Sequence, residues 1–296
     1  MVGHVLLLVA GLLAAPVRTE LSVMTWNVCT GTNSDCRLYR AGAVELAENI
    51  GRQALSRTAR PGVIFLQEFC TGATGTLELW LERRTGRSWT VGSWGLTGHD
   101  GKPYACHPDR LGRPRGAQSI AVAVAGEATF ETHPLPAPPW YVRRAAVCAT
   151  VTATVTATVA ATVVAPKVRA CGTHLSSGAQ YDDRQPGAPY RTRQLQRLLE
   201  VAARPGYRTI VGGDLNVSPP DGGYGSAAGR RAVAPFYRAY QECDQRGGRR
   251  TGGRTREDKK LDYLFAPKGS VRSCHVAREV TLSDHKPVHM EVALRP

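Results

Sequence analysis

Polar side chains interrupt apolar, strand-like runs at six places scattered along the 296-residue chain. They are Asn27 in TWN, Glu68 in LQE, His174 in THLSS, Asp214 and Asn216 in GGDLN, Asp262 in LDY, and Asp284 with His285 in LSDH. Carboxylate and amide oxygens are the ligands that hard divalent cations such as Mg²⁺ select. Histidines add groups that take or give a proton near neutral pH. Singly, each residue has a plainer reading: Asp or Asn at a strand end caps the next element, and a lone His is a satisfied structural residue. Together they are harder to dismiss. Burying so many charges apart from one another would be prohibitive, so they are expected to converge. Cation ligands, a base for water and donors for developing charge are what phosphodiester hydrolysis requires.

These residues must be positioned by the elements around them. Residues 21–28, 63–69, 119–125, 145–155, 168–175, 209–217, 260–266 and 287–294 read as strands, rich in Val, Ile, Thr and aromatics and bounded by Gly-rich turns. Residues 41–55 and 190–203 read as amphipathic helices, each stopped before a proline, and residues 76–85 as a third helix. Many strands and few helices, with no charged linker between halves, predict one α+β domain built on sheets. The Thr/Ala/Val repeat over residues 150–165 reads as an extended hairpin whose uniform sequence pins register weakly.

Composition adds a compartment and a class of partner. The apolar run from Val5 to Ala15 is too short to span a bilayer and fits a signal-peptide core, although no Lys or Arg precedes it. Residues 1–17 are therefore expected to be removed on export, leaving 18–296 as the mature domain. Eight cysteines fit a disulfide framework in an oxidising compartment, and the lack of a CxxC pair argues against structural zinc. Cys29 and Cys36 flank a short loop, Cys148 and Cys171 lie on strands expected to pair, and Cys70, Cys106, Cys243 and Cys274 remain; sequence leaves the connectivity open. A net charge of +14 attracts polyanions, nucleic acid and anionic lipid alike. Two Arg-rich stretches, residues 110–116 and 244–260, read as loops suited to phosphate contacts, the second running straight into Asp262.

The ordered set TWN, LQE, THLSS, GGDLN, LDY and LSDH resembles the endonuclease/exonuclease/phosphatase superfamily, whose members are DNase I-like, and it extends from Asn27 to His285. The resemblance implies a four-layer α/β sandwich, with two packed, mostly antiparallel sheets flanked by helices and the site at one end of the sheets. It implies Glu68 as the principal Mg²⁺ ligand (Mn²⁺ the second choice), with Asn27 beside it and Asp284 helping. Asp214 and Asn216 would hold the water and phosphate or a second metal. His285 would be the general base, steadied by Asp262. His174 would donate to the phosphate, and Arg143 or Arg144, with Arg143 preferred, would contact it. A lysine before the Asp-Tyr pair falls at Lys259 or Lys260, and the carboxylate partner of His174 has only poor matches in Glu127 and Glu131.

The resulting expectation is a secreted, monomeric, Mg²⁺-dependent phosphodiesterase acting on nucleic acid by in-line attack of water. The alternatives are a sphingomyelinase-like or inositol-phosphate phosphoesterase, for which residues 134–142 with Trp140 and Tyr141 offer a modest apolar contact, and an inactive nucleic-acid-binding module. No stable membrane insertion is expected after signal cleavage.

Overall fold

A computed structural model describes residues 19–58, 61–139, 141–151, 156–158, 161–163, 166–177 and 190–295. The expected signal peptide (residues 1–17) and Trp140 lie outside the described residues, as do parts of the Thr/Ala/Val repeat. The N-terminal half contains β1 (Thr19–Asn27), α1 (Ala43–Leu55), β2 (Pro61–Cys70), α2 (Thr74–Thr85), β3 (Trp89–Gly95), β4 (Gln118–Ala125), β5 (Ala128–Pro134) and β6 (Ala145–Val151). The remainder contains β7 (Thr156–Thr158), β8 (Ala161–Val163), β9 (Val168–His174), α3 (Tyr190–Ala202), β10 (Arg208–Asp214), α4 (Ala227–Ala239), β11 (Gln241–Glu242), β12 (Asp262–Ala266), β13 (Val271–Val276) and β14 (Val288–Leu294). Within the repeat β7 and β8 pair antiparallel, as a hairpin requires.

Two six-stranded sheets carry the fold, in the orders β13-β14-β1-β2-β4-β3 and β11-β12-β10-β9-β6-β5. Each has one parallel pair, β1 with β2 and β9 with β10, and is otherwise antiparallel. Both faces of each sheet are covered, which explains why the central strands read as continuous apolar runs. Along β2 and β4 the residues alternate: Val63, Phe65, Ile120, Val122 and Val124 enter the core between the sheets. Ile64, Leu66, Ala121 and Ala123 face outward into the core shared with α1 and α2. On the other sheet Val211, Tyr263 and Phe265 pack with residues of α3 and α4, while Ile210 and Leu264 point inward. The period-2 alternation thus produces four layers, helices outside and sheets within, as the DNase I-like reading implies.

Glycines set how closely the sheets approach. A Cβ on Gly172 or Gly212, neighbours across β9 and β10, would stand 2.8 Å and 2.2 Å from the ring of Phe65 in the opposite sheet. The ring fills the slot that the missing side chains leave. Half of the GG in GGDLN is therefore a packing device.

The four edge strands, β3, β5, β11 and β13, and helix α4 were not expected from the sequence. The edge strands are largely half-exposed, so their apolar signal is thin. Helix α4 contains Gly229 and Pro235, which mask its apolar face, and it is started by Ser226, whose hydroxyl accepts from the Gly229 amide at 2.9 Å. The described part of the strand expected over 145–155 ends at Val151. The eight cysteines form four disulfides: Cys29–Cys36, Cys70–Cys106, Cys148–Cys171 and Cys243–Cys274. The last ties β13 of one sheet to the chain after β11 of the other.

A buried histidine makes this fold acid-sensitive. Burial, then the charges of His275 and Arg57, push His289 down to about 4, with Glu279 opposing them. Its ordinary value is about 6.5, so the folded state prefers the neutral ring. The stability it contributes is complete above pH 6.5 and lost as pH falls towards 4, by about 3 kcal/mol at the limit. Urea denaturation of the wild type should show a larger loss between pH 7 and pH 4.5 than His289→Gln shows. Equal losses would remove His289 from the account.

Candidate active site

Strand register lines up one row of the site. At the end of the second sheet Asp214 is paired with His174 on β9 and with Asp262 on β12, so three chain-distant polar residues stand side by side. All are buried, with Asp214 at 1% and Asp262 at 0% exposure. Gly213, just before Asp214, has φ +143°, and a Cβ there would lie 2.1 Å from the Thr173 carbonyl oxygen. Only glycine allows β9 and β10 to approach this closely beside the carboxylate.

The first sheet supplies the facing row. Its β2–β4 register shifts between Gln67 and Phe69, and Glu68, the residue of the bulge, has φ +54°. A bulge re-aims a side chain, and here it sets the carboxylate beside Asn27 at the end of the sheet. Asn27, the last residue of β1, bridges the two: its Nδ2 donates to Glu68 Oε1 and to Asp214 Oδ2, each at 3.2 Å. Its Oδ1 accepts from the Cys29 amide at 3.1 Å, which fixes the orientation of the amide. Glu68 Oε2 also accepts from Gln118 Nε2 at 3.4 Å, a residue the sequence reading did not single out.

His285 enters from the loop before β14. Trp26 Nε1 donates to its carbonyl, and its amide donates to Ser283 Oγ, which in turn donates to the Asn27 carbonyl at 2.7 Å. His285 Nδ1 donates to Asp262 Oδ2 at 2.8 Å, and Nε2 lies 3.7 Å from Asp214 Oδ2. His174 Nε2 lies 3.4 Å from the same Asp214 oxygen. Burial and the adjacent Asp262 push the Asp214 carboxyl upward, with the His285 charge opposing. Burial pulls His285 down, but Asp262 and Asp214 outweigh it and hold the proton on the ring. His174 is pushed well down by burial and by the charges of Arg144, His285 and Arg256, so it is neutral.

The donor set fits a hard cation. Glu68 and Asp214 present carboxylate oxygens to one point, now held together by the two hydrogens of a single amide nitrogen. In this arrangement Asn27 is the clasp between those carboxylates, its oxygen being turned away from them. Asp214, Asp262 and His285 also offer atoms within 4.8 Å of one another, although Asp262 and His285 are engaged with each other. Cys29 and Cys36 beside Asp284 are joined in a disulfide and offer no thiolate.

Other expected residues fall elsewhere. Asp284 pairs with Arg256 at 3.0 Å. The Asn216 backbone amide donates to Asp214 Oδ1 at 2.9 Å and its side-chain amide to the Leu175 carbonyl at 3.0 Å, so Asn216 positions Asp214. Of the two arginines, Arg143 is exposed, whereas Arg144 is 5% exposed and its charge is felt at His174. The two differ because successive residues leading into a strand face opposite sides. Lys260 is fully buried in an ion pair with Glu242 at 3.0 Å, and Lys259 is exposed. Neither poor match partners His174: Glu131 binds Arg169 and Arg204, Glu127 is exposed, and among the described residues His174 Nδ1 has no partner. The arginines of residues 110–116 are structural, Arg115 being buried against Thr30, Ala41 and His107 and Arg113 paired with Asp109. Residues 244–260 do border the site, but as a laced loop: Thr255 Oγ1 accepts from the amides of Leu261 and Asp262, and its carbonyl from that of Lys286.

Gly213→Ala tests whether the close approach of β9 and β10 sets the site. Strain from the backbone conformation alone should cost about 1–3 kcal/mol. The accompanying shift of His174 from Asp214 should reduce turnover at temperatures where the variant remains folded. Full turnover per folded molecule would show that the approach is unimportant.

Comparison with known proteins completes the assignment. Residues 24–285 match the model of the Endonuclease/Exonuclease/phosphatase family. Among curated proteins no sequence matches the chain. Among solved structures, the human Nocturnin catalytic domain with bound sulfate anion superposes with a TM-score of 0.64 at 16% identity, covering 95% of this chain and 100% of that one. Sphingomyelinase C from Streptomyces griseocarneus gives 0.56 at 19% identity, over 93% and 99% of the two chains. A mannosyl-6-phosphatase from Bacteroides thetaiotaomicron gives 0.53 at 13% identity, over 93% and 100%. At such identities these likenesses show the shared fold, while the match over nearly the whole described chain shows the family. The chain belongs to the Endonuclease/Exonuclease/phosphatase family of phosphoric ester hydrolases.

Proposed function

We propose that the chain is a secreted, Mg²⁺-dependent phosphodiesterase that cleaves nucleic acid by in-line attack of water. The observation that carries the reading is the convergence on Asp214, where Asn27 and Glu68 of the first sheet, with His285 from the loop leading into its β14, meet His174 and Asp262 at the end of the other. Glu68 and Asp214 would hold a divalent cation, which supplies charge to polarise the phosphoryl oxygen and to offset the carboxylates around His285. In its neutral form, which the offset of those carboxylates would favour, His285 Nε2 takes the proton of the attacking water, while Asp262 keeps Nδ1–H in place and stabilises the imidazolium. His174, kept neutral, donates one hydrogen bond to a phosphoryl oxygen, and the Arg144 guanidinium adds positive charge beside it. Asn27 and Asn216 hold the two carboxylates in position.

Nucleic acid is favoured by charge. The chain carries +14, and the loop fixed next to His285 exposes Arg249, Arg254 and Lys259. Export is supported by the four disulfides, which fit an oxidising compartment, and by the apolar leader; residues 18–296 would then form the mature domain. Among the described residues no helix is long and apolar enough to cross a membrane.

Purified protein should nick plasmid DNA or degrade RNA, lose that activity to a chelator and regain it with Mg²⁺. His285→Ala should lower turnover by about 10²–10⁴-fold while its far-ultraviolet circular dichroism stays that of the wild type. Turnover of sphingomyelin or inositol phosphates without cleavage of either nucleic acid would reassign the substrate. Nucleic-acid binding with no hydrolysis of any of the four would make the chain a binding module.

A further inference from the structure

A cleft of about 360 Å³, lined by Trp94, His99, Pro138, Tyr141, Arg143 and Arg144 among others, opens at the end of the sandwich that holds the site. Strand register puts it there. Trp94 precedes Gly95, whose partner Ser119 is paired with Phe69, the neighbour of Glu68. On the other sheet Arg144 leads into β6, where Ala146 is paired with Thr173, the neighbour of His174. The frame is tied on both sides: the Arg143 amide donates to the Thr97 carbonyl at 2.8 Å, and the Leu135 amide to the Arg144 carbonyl at 2.9 Å. The Tyr141 amide donates to the Pro138 carbonyl at 3.2 Å.

Two features of the lining specify an occupant. Arg144 is 5% exposed, yet its Nε and Nη1 have no hydrogen-bond partner among the described residues. Its remaining nitrogen lies 3.5 Å from the Tyr141 hydroxyl, and the guanidinium sits 5.6 Å from the Tyr141 ring centroid. A buried, always-charged group with open donors calls for an anion, and its planar fork matches a phosphate. Beside it the indole of Trp94 and the ring of Tyr141, the latter also under the guanidinium, give the lining an aromatic character. An aromatic cleft on its own would suit a quaternary ammonium group, but the charges of Arg143 and Arg144 in the lining oppose one. A phosphate carrying a planar heterocycle satisfies both features, and the volume suits a group of nucleoside size.

We infer that this cleft is the nucleobase subsite of the enzyme, taking the base of the nucleotide whose phosphate Arg144 holds next to His174. The inference rests on the phosphodiesterase reading and adds to it that the enzyme grips a base as well as the backbone. Trp94 and Tyr141 stack on the base, and the grip is tolerant of base identity because every base has a π face. A phosphocholine headgroup gains nothing from the same cleft.

Titration calorimetry with adenosine 5′-monophosphate, ribose 5-phosphate, inorganic phosphate and phosphocholine, in chelator to prevent turnover, tests the assignment. The mononucleotide should bind about tenfold or more tighter than ribose 5-phosphate, the difference being the stacked base. Phosphocholine should bind no tighter than inorganic phosphate. Trp94→Leu should erase the preference for the mononucleotide and leave the affinity for inorganic phosphate unchanged. Equal affinities for mononucleotide and ribose 5-phosphate, or tightest binding of phosphocholine, overturn the subsite. Plasmid cleavage together with equal affinities for mononucleotide and ribose 5-phosphate would leave the phosphodiesterase reading standing and the subsite refuted. Tighter binding of the mononucleotide than of ribose 5-phosphate, without cleavage of nucleic acid, would do the reverse.

Discussion

Asp214 is a carboxylate with almost no access to water, set beside a second buried carboxylate, Asp262. Two such groups repel each other in a medium that screens poorly, and burial alone favours their neutral forms. The surroundings answer this in three ways. His285 is held protonated between them, the Asn216 amide donates to one Asp214 oxygen, and the Asn27 amide donates to the other. Each of those donors needs its own support. Asn27 is oriented by the Cys29 amide, His285 is pinned through Ser283 and Trp26, and Asn216 adopts φ +50° so that its backbone N–H points back. The left-handed backbone at Glu68 and Asn216 thus sits at the site, where the surrounding hydrogen bonds over-determine it.

The same contact requires the sheets to be close. Asn27 reaches Asp214 from the opposite sheet at 3.2 Å, a distance that fails if the layers separate by even a methyl group. Phe65 seated over Gly172 and Gly212 sets that spacing in the core. The Cys243–Cys274 bond fastens the two sheets, and Cys29–Cys36 closes the loop that begins beside Asn27. Core packing and site geometry are therefore one constraint. A change that widens the slot at Phe65 acts on the carboxylates without touching them.

The central strands were readable from sequence because both their faces are buried, which leaves uninterrupted apolar runs. Their polar interruptions were readable as a site for the same reason: Asp214, Asp262, His174 and His285 had no other way to be buried. What escaped were features with no composition of their own. A one-residue bulge at Glu68 leaves no trace in residue type, and the direction of the Asn27 amide depends on a backbone N–H two residues away. Helix α4 was hidden by Gly229 and Pro235, and the edge strands by half-exposed faces. Which of Arg143 and Arg144 turns inward was not legible either, because a displacement of one residue leading into a strand inverts the face.

Arginine usage shows why net charge had to be reread residue by residue. Arg115 and Arg169 are buried, binding carbonyls, hydroxyls or Glu131, and Arg113, Arg204 and Arg250 are paired with acids. Such groups hold loops and sheet edges, and their charge is largely cancelled where it sits. The field that an approaching polyanion meets comes from the remainder, and near the site it is carried by Arg144 inside and by Arg249, Arg254 and Lys259 on the bordering loop. Of these only Arg144 is desolvated, so only its charge acts at short range without screening by salt. The outer arginines gather substrate, whereas the buried one selects where its phosphate comes to rest.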